Sequence, residues 1–99
     1  MEIIRTLNGK QLTIAPVDRL DAITAPEFNE VLQSCIKDIT ALTFDFEKMN
    51  YISSAGLRIL LAAQQTMEDR NGTMELIHVN KNIMEILDIT GLSHILTIE

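Results

Sequence analysis

The sequence predicts a single α/β domain: a mixed sheet of four to five strands that opens with a hairpin and is covered by three to four helices. Three observations predict it. Strand-like runs take turns with helix-like runs in the order ββαβαβα plus a tail, and strands that alternate with helices pair in parallel. Asn8-Gly9 falls between the first two strand-like runs. Both residues accept positive φ, so the first pair is an antiparallel hairpin and the sheet is mixed. Finally, 99 residues with only four glycines and two prolines leave room for one core and short loops.

Each element has its own signal. Ile3 to Leu7 form the first strand. Gln11 to Val17 alternate, with Leu12, Ile14 and Pro16 on one face and Thr13, Ala15 and Val17 on the other. Asp18 to Ala22 read as a polar loop. Thr24-Ala25-Pro26-Glu27 reads as a capping box opening the first helix: the hydroxyl caps an orphan amide and Glu27 reaches back. Pro26 is tolerated in that first turn. Phe28, Val31, Leu32, Cys35, Ile36 and Ile39 follow at helical spacing and make its apolar stripe, with Cys35 as a small core residue.

Ala41 to Phe46 are rich in β-branched and aromatic types and form the next strand, and Glu47 to Asn50 form a loop. Tyr51-Ile52 lead into Ser53-Ser54-Ala55-Gly56, where a second helix starts and runs to about Arg70. Leu57, Leu60, Leu61, Ala63 and Met67 are its apolar side; Arg58, Gln65 and Asp69 are its outer side. Asn71-Gly72 suit a left-handed helix end. Thr73 to Val79 form another strand. Asn80 caps a third helix through Thr90, with Ile83, Ile86, Leu87 and Thr90 inward; Gly91 and Leu92 follow as its C-terminal cap. Ile95 to Ile98 close the chain as a short strand or a helical tail.

Composition narrows the function classes. Hydrophobic residues are 46% and charged residues 22%, the proportions of a chain that folds. A single cysteine excludes an intrachain disulfide and fits a reducing compartment, so the expected location is the cytoplasm. No Cys/His cluster has zinc-site spacing, and neither a metal nor a cofactor is expected. The opening MEIIRTLNGK lacks the pattern of a signal peptide, and no run approaches the length of a membrane span, so no direct membrane insertion is expected. A net charge of −6 argues against nucleic acid, whose binders carry a basic patch. It fits solubility, or a partner with a basic surface.

Polar residues gather where strand ends meet helix starts: Asp18, Asp21 and Thr24, then Asp45, then Asn50, Ser53 and Ser54. In open α/β sheets that side of the sheet holds the sites, so the three groups could share one surface. Two readings of Ser53-Ser54-Ala55-Gly56 stand side by side. A serine hydroxyl can simply cap the helix. Alternatively, the helix N-terminus accommodates an anion, such as a phosphate carried by a serine. Gly56 would then leave the hydroxyl unscreened, and the small residues would let another protein approach closely.

A nucleophilic serine fits less well. The nucleophile elbow needs glycine on both sides, and Ile52 stands where the first should be. The only candidate bases are His78, in a strand on the side of Met74 and Leu76, and His94 after the last helix. No glycine-rich phosphate loop is present. Asp21 and Asp45 read as solvated loop acids.

The run Ile52 to Leu61, ISSAGLRILL, resembles the signature of STAS domains of the anti-sigma factor antagonist (anti-anti-sigma factor) type. Arg19-Leu20-Asp21-Ala22 with Thr24-Ala25-Pro26 is similar to that family's segment before the first helix. Leu42 to Phe46 is similar to its central strand, with Asp45 as the acid near the end, and Thr90-Gly91-Leu92 to its late turn. The resemblance spans almost the whole chain and implies the STAS, SpoIIAA-like fold.

It also implies regulation by partner switching rather than enzyme activity. The unphosphorylated antagonist binds an anti-sigma factor that is also a serine kinase of the GHKL ATPase type. Phosphorylation ends binding, and a PP2C-type phosphatase restores it. Alignment on Gly56-Leu57 puts the acceptor on Ser54, with Ser53 as a second candidate. The partner surface is expected to include Asp21, Thr24, Asp45, Asn50, Ser53, Ser54, Ala55, Gly56 and Arg58. Ser53 stands where the family motif has Asp, and Ala55 where it has a second hydroxyl residue. Two alternatives remain: a constitutive STAS scaffold or accessory subunit of a membrane transport complex, and a small hydrolase using Ser54.

Overall fold

A computed structural model describes every residue from Met1 to Glu99. Its elements are β1 (Ile3–Asn8), β2 (Gln11–Pro16), β3 (Asp18–Leu20), α1 (Ala25–Cys35), β4 (Ala41–Asp45), β5 (Met49–Ile52), α2 (Ser54–Asp69), β6 (Thr73–Ile77) and α3 (Lys81–Ile89). A short 3-10 turn at Leu92–His94 follows.

The main sheet has the order β1-β2-β4-β6. β1 and β2 form the expected antiparallel hairpin, while β2–β4 and β4–β6 are parallel. Period-two alternation drives its layering. Leu12, Ile14, Leu42, Phe44, Met74 and Leu76 are buried, and they join Phe28 and Leu32 of α1 and Leu60, Ala63 and Met67 of α2 in one core. Phe44 stacks at a tilt between Phe28 and Phe46, with centroids 6.2 and 6.1 Å away. Thr13, Thr43 and Glu75, which alternate with these, are only half-buried.

A second, two-stranded sheet departs from expectation. Asp18 to Ala22 and Glu47 to Asn50 read as loops, yet β3 and β5 pair in parallel, with Leu20 opposite Ile52. β3 is three residues long and only Leu20 is buried, so no alternation is long enough to read. Asp18 is left-handed (φ 74°) and the register shifts beside it, which turns the chain out of the first sheet. This small sheet ties the turn before α1 to the strand before α2.

The C-terminal helix ends follow the expected chemistry. After α2 it is Asn71 that is left-handed, at φ 57°. The Asn71 and Gly72 amides donate back to Glu68 O and Met67 O, a Schellman pattern. Gly72 is needed for a different reason: a Cβ there would stand 2.7 Å from Thr40 O. Arg70 then donates to the carbonyls of Ile36 and Ile39, fastening the end of α2 to the turn after α1.

On α2, Leu57, Leu60, Ala63 and Met67 are buried as expected, but Leu61 is exposed and Ile59 joins the buried side instead. Thr90 is exposed and bonds back to Ile86 O instead of facing inward. Asn80 caps α3 as expected, accepting from Ile83 N at 2.9 Å. The tail closes as a single parallel bridge between Ile98 and Leu76.

Candidate functional site

The turn into α1 is closed by a dense set of hydrogen bonds. Asp21 Oδ1 accepts from the amides of Ile23 and Thr24, at 2.9 and 3.0 Å. Asp21 Oδ2 pairs with Arg19 Nε at 2.8 Å, and the Arg19 guanidinium lies 5.3 Å from the centre of the Tyr51 ring. The Thr24 hydroxyl accepts from the Asp21 amide at 2.9 Å and lies 3.0 Å from Arg19 O. The expected capping box is therefore absent. Thr24 makes no side-chain cap on α1, and Glu27 faces the Met1 amine at 3.3 Å instead of reaching back. The turn is built by Asp21, one carboxylate oxygen of which accepts the Ile23 and Thr24 amides while the other pairs with Arg19. Those bonds hold its carboxyl below the usual range. The Thr24 amide is the largest influence; desolvation, next in size, opposes it, and the Ile23 amide, the Thr24 hydroxyl and Arg19 add to the lowering.

The turn into α2 is built differently. The Ser53 amide donates to Leu20 O at 2.9 Å, so β3 holds the backbone at this point. Ser53 is the N-cap residue, but its side chain caps nothing, and its Oγ is buried without a partner. Ser54, the first helical residue, is exposed. The first amides of α2 thus carry no side-chain cap.

Gly56 does not serve to leave the serine open. It is buried, and a Cβ there would stand 2.7 Å from Ile52 Cγ1 and 3.0 Å from Leu20 O. The glycine lets α2 start directly against both strands of the small sheet. Arg58 is exposed four residues after Ser54, hence on the same side of the helix, and it forms no ion pair. A groove of about 390 Å³ runs between α1 and α2 beside this turn, lined by Ala22, Ala25, Pro26, Ala55, Arg58 and Ala62.

Asp45 belongs to another cluster. Its Oδ1 accepts from the Glu47 amide at 3.0 Å and lies 2.8 Å from His78 Nδ1. His78 is exposed and left-handed (φ 57°), so it breaks the strand alternation and does not lie with Met74 and Leu76. The Asp45 hydrogen bond, then the charges of Asp45 and Glu47, hold its pKa above the usual value against desolvation. Asn50 donates to Asp18 Oδ1 at 3.2 Å.

The structure thus gathers Asp21, Thr24, Ser53, Ser54, Ala55, Gly56 and Arg58 around the two helix starts. It puts Asn50 with Asp18 on the small sheet, and it gives Asp45 no hydrogen bond to the serine segment. No histidine bonds to either serine. Sequence reading missed Arg19 and Tyr51 as parts of the site; the only signal was the spacing of Arg19 two residues before Asp21.

A STAS domain family model matches residues 3–99. The chain belongs to the STAS family. Among curated proteins it is 27% identical, over 97% of its length and 85% of the relative's, to an anti-sigma-B factor antagonist from Listeria monocytogenes serovar 1/2a. Among solved structures it superposes on an anti-sigma factor antagonist from Mycobacterium paratuberculosis with a TM-score of 0.86. That match has 18% identity and covers 98% of this chain and 83% of the other. The phosphorylated Bacillus cell fate determinant SpoIIAA gives 0.77 at 15% identity, covering 99% and 91%. The STAS fold with three helices and a mixed sheet is the expected one, joined by the small β3–β5 sheet.

Proposed function

We propose that this STAS domain is an anti-sigma factor antagonist that works in the cytoplasm by partner switching and performs no chemistry of its own. Unphosphorylated, it docks through the α1 and α2 starts on an anti-sigma factor that is also a serine kinase of the GHKL type. Phosphorylation of Ser54 releases it, and a PP2C-type phosphatase resets it. The observation that carries this reading is the exposed Ser54 hydroxyl at the uncapped start of α2. A phosphate there finds the free amides and the positive end of the helix dipole, so the fold tolerates it. It also brings about −1.5 to −2 charges to a surface that the partner must desolvate. Ser54 is favoured over Ser53, whose Oγ is buried and out of a kinase's reach. The similarity to anti-sigma factor antagonists supports the same reading.

The test is incubation with the cognate kinase and ATP, followed by mass-spectrometric mapping. Phosphate confined to Ser54 is expected. Phosphate on Ser53 or elsewhere would overturn the assignment.

A further inference from the structure

We propose that Asp45, Glu47 and His78 form a surface site for one divalent transition-metal ion of the Zn²⁺ type. The three residues come from separate places: the end of β4, the loop after it and the turn after β6. Their ligand atoms nevertheless lie within 4.8 Å of one another. Two ligands bound at ~2.1 Å to one tetrahedral ion stand roughly 3.4 Å apart. Side-chain adjustments of about an ångström therefore bring all three onto one ion.

The donor set selects the metal. One imidazole with two carboxylates suits zinc and its neighbours, whereas calcium and magnesium favour all-oxygen shells. The site is also held in place. The Glu47 amide fixes Asp45 Oδ1, and the second Asp45 oxygen carries no bond; an ion bound through His78 Nδ1 replaces its 2.8 Å contact with Asp45 and releases the proton held there to solvent. Side-chain exposure is 23% for Asp45 and 55% for His78, so an ion reaches them without opening the core and keeps water in its remaining positions.

With His78 neutral, as a metal ligand must be, charge favours a cation: Lys48, in the same small cleft as Asp45 and Glu47, is one positive group against two carboxylates, on a chain of net charge −6. An ion here would fasten the β4–β5 loop to the end of β6. Sequence spacing could not reveal the site, because its ligands lie up to 33 residues apart.

Isothermal titration of the full chain with Zn²⁺, together with ¹H–¹⁵N spectra, tests the proposal. One-to-one saturable binding is expected, with shifts centred on residues 45–48 and 77–79. His78→Ala and Glu47→Gln should each weaken it by about tenfold or more, while Cys35→Ser and His94→Ala leave it within about twofold. These side chains are exposed or half-exposed, so the variants should fold. Lack of saturable binding, shifts centred on Cys35 or His94, or unchanged affinity in His78→Ala would overturn it.

Discussion

The starts of α1 and α2 sit side by side across the small sheet, yet they solve the same problem in opposite ways. Before α1, Asp21 accepts two backbone amides, Thr24 bridges the turn, and Arg19 pairs with the carboxylate. Before α2, a serine stands at the capping position and caps nothing, and its hydroxyl is buried alone. Unbonded helix amides are ordinarily satisfied by side chains, by water or by a ligand. A start that forgoes its side-chain cap keeps its amides free for an incoming anion. Rigidity next door and availability at Ser54 suit the proposed switch, in which one junction would hold the surface still while the other changed charge.

The largest effect expected from breaking this arrangement is at Gly56. Gly56→Val forces atoms into the backbone of Leu20 and the side chain of Ile52, and should destabilise the fold by about 3 kcal/mol. Denaturant unfolding reads it directly, and a neutral result would mean that α2 can start elsewhere. Next is Ser54→Asp, which should weaken binding to the anti-sigma factor by at least about tenfold, or ~1.4 kcal/mol, with the unfolding midpoint nearly unchanged.

The helix caps give a smaller, sharper contrast. Asn80→Ala removes a real cap on α3 and should cost about 1 kcal/mol. Ser53→Ala removes a hydroxyl that caps nothing and should change stability by less than about 0.5 kcal/mol, in either direction. Equal losses at the two positions would show that Ser53 does cap α2 in solution.

The subtlest test is acid titration. The carboxyl of Asp21 is held below its ordinary value of 3.8. Its contribution to stability is therefore fully present above that pH and disappears as the pH falls through the folded-state value. Asp21→Asn should remove that part of the acid dependence. His78 runs the other way. Its pKa is raised above the ordinary 6.5, so the Asp45 pair contributes fully below pH 6.5 and is lost as the pH rises through the raised value.

The main sheet, the three helices and the Asn80 cap were legible because each rests on a local pattern long enough to read: alternation over five or six residues, helical spacing over nine or more, or a cap three residues from its amide. The β3–β5 pairing was not. Its strands are three and four residues long, and their partnership joins positions some thirty apart. The Asp21 turn was hidden for a different reason, a competing local pattern. Thr24 and Glu27 match a capping box letter by letter, but Asp21, already held in the turn by the Ile23 amide and Arg19, takes the Thr24 amide, and Glu27 turns to the Met1 amine. His78 deceived the alternation because one left-handed residue turned it outward.

The central claim is that charge at Ser54 decides whether a partner stays bound. Titrating the cognate anti-sigma factor with this chain, once unphosphorylated and once stoichiometrically phosphorylated on Ser54, measures it most directly. The unphosphorylated form should bind at least about tenfold more tightly. Equal affinities for the two forms would contradict the account.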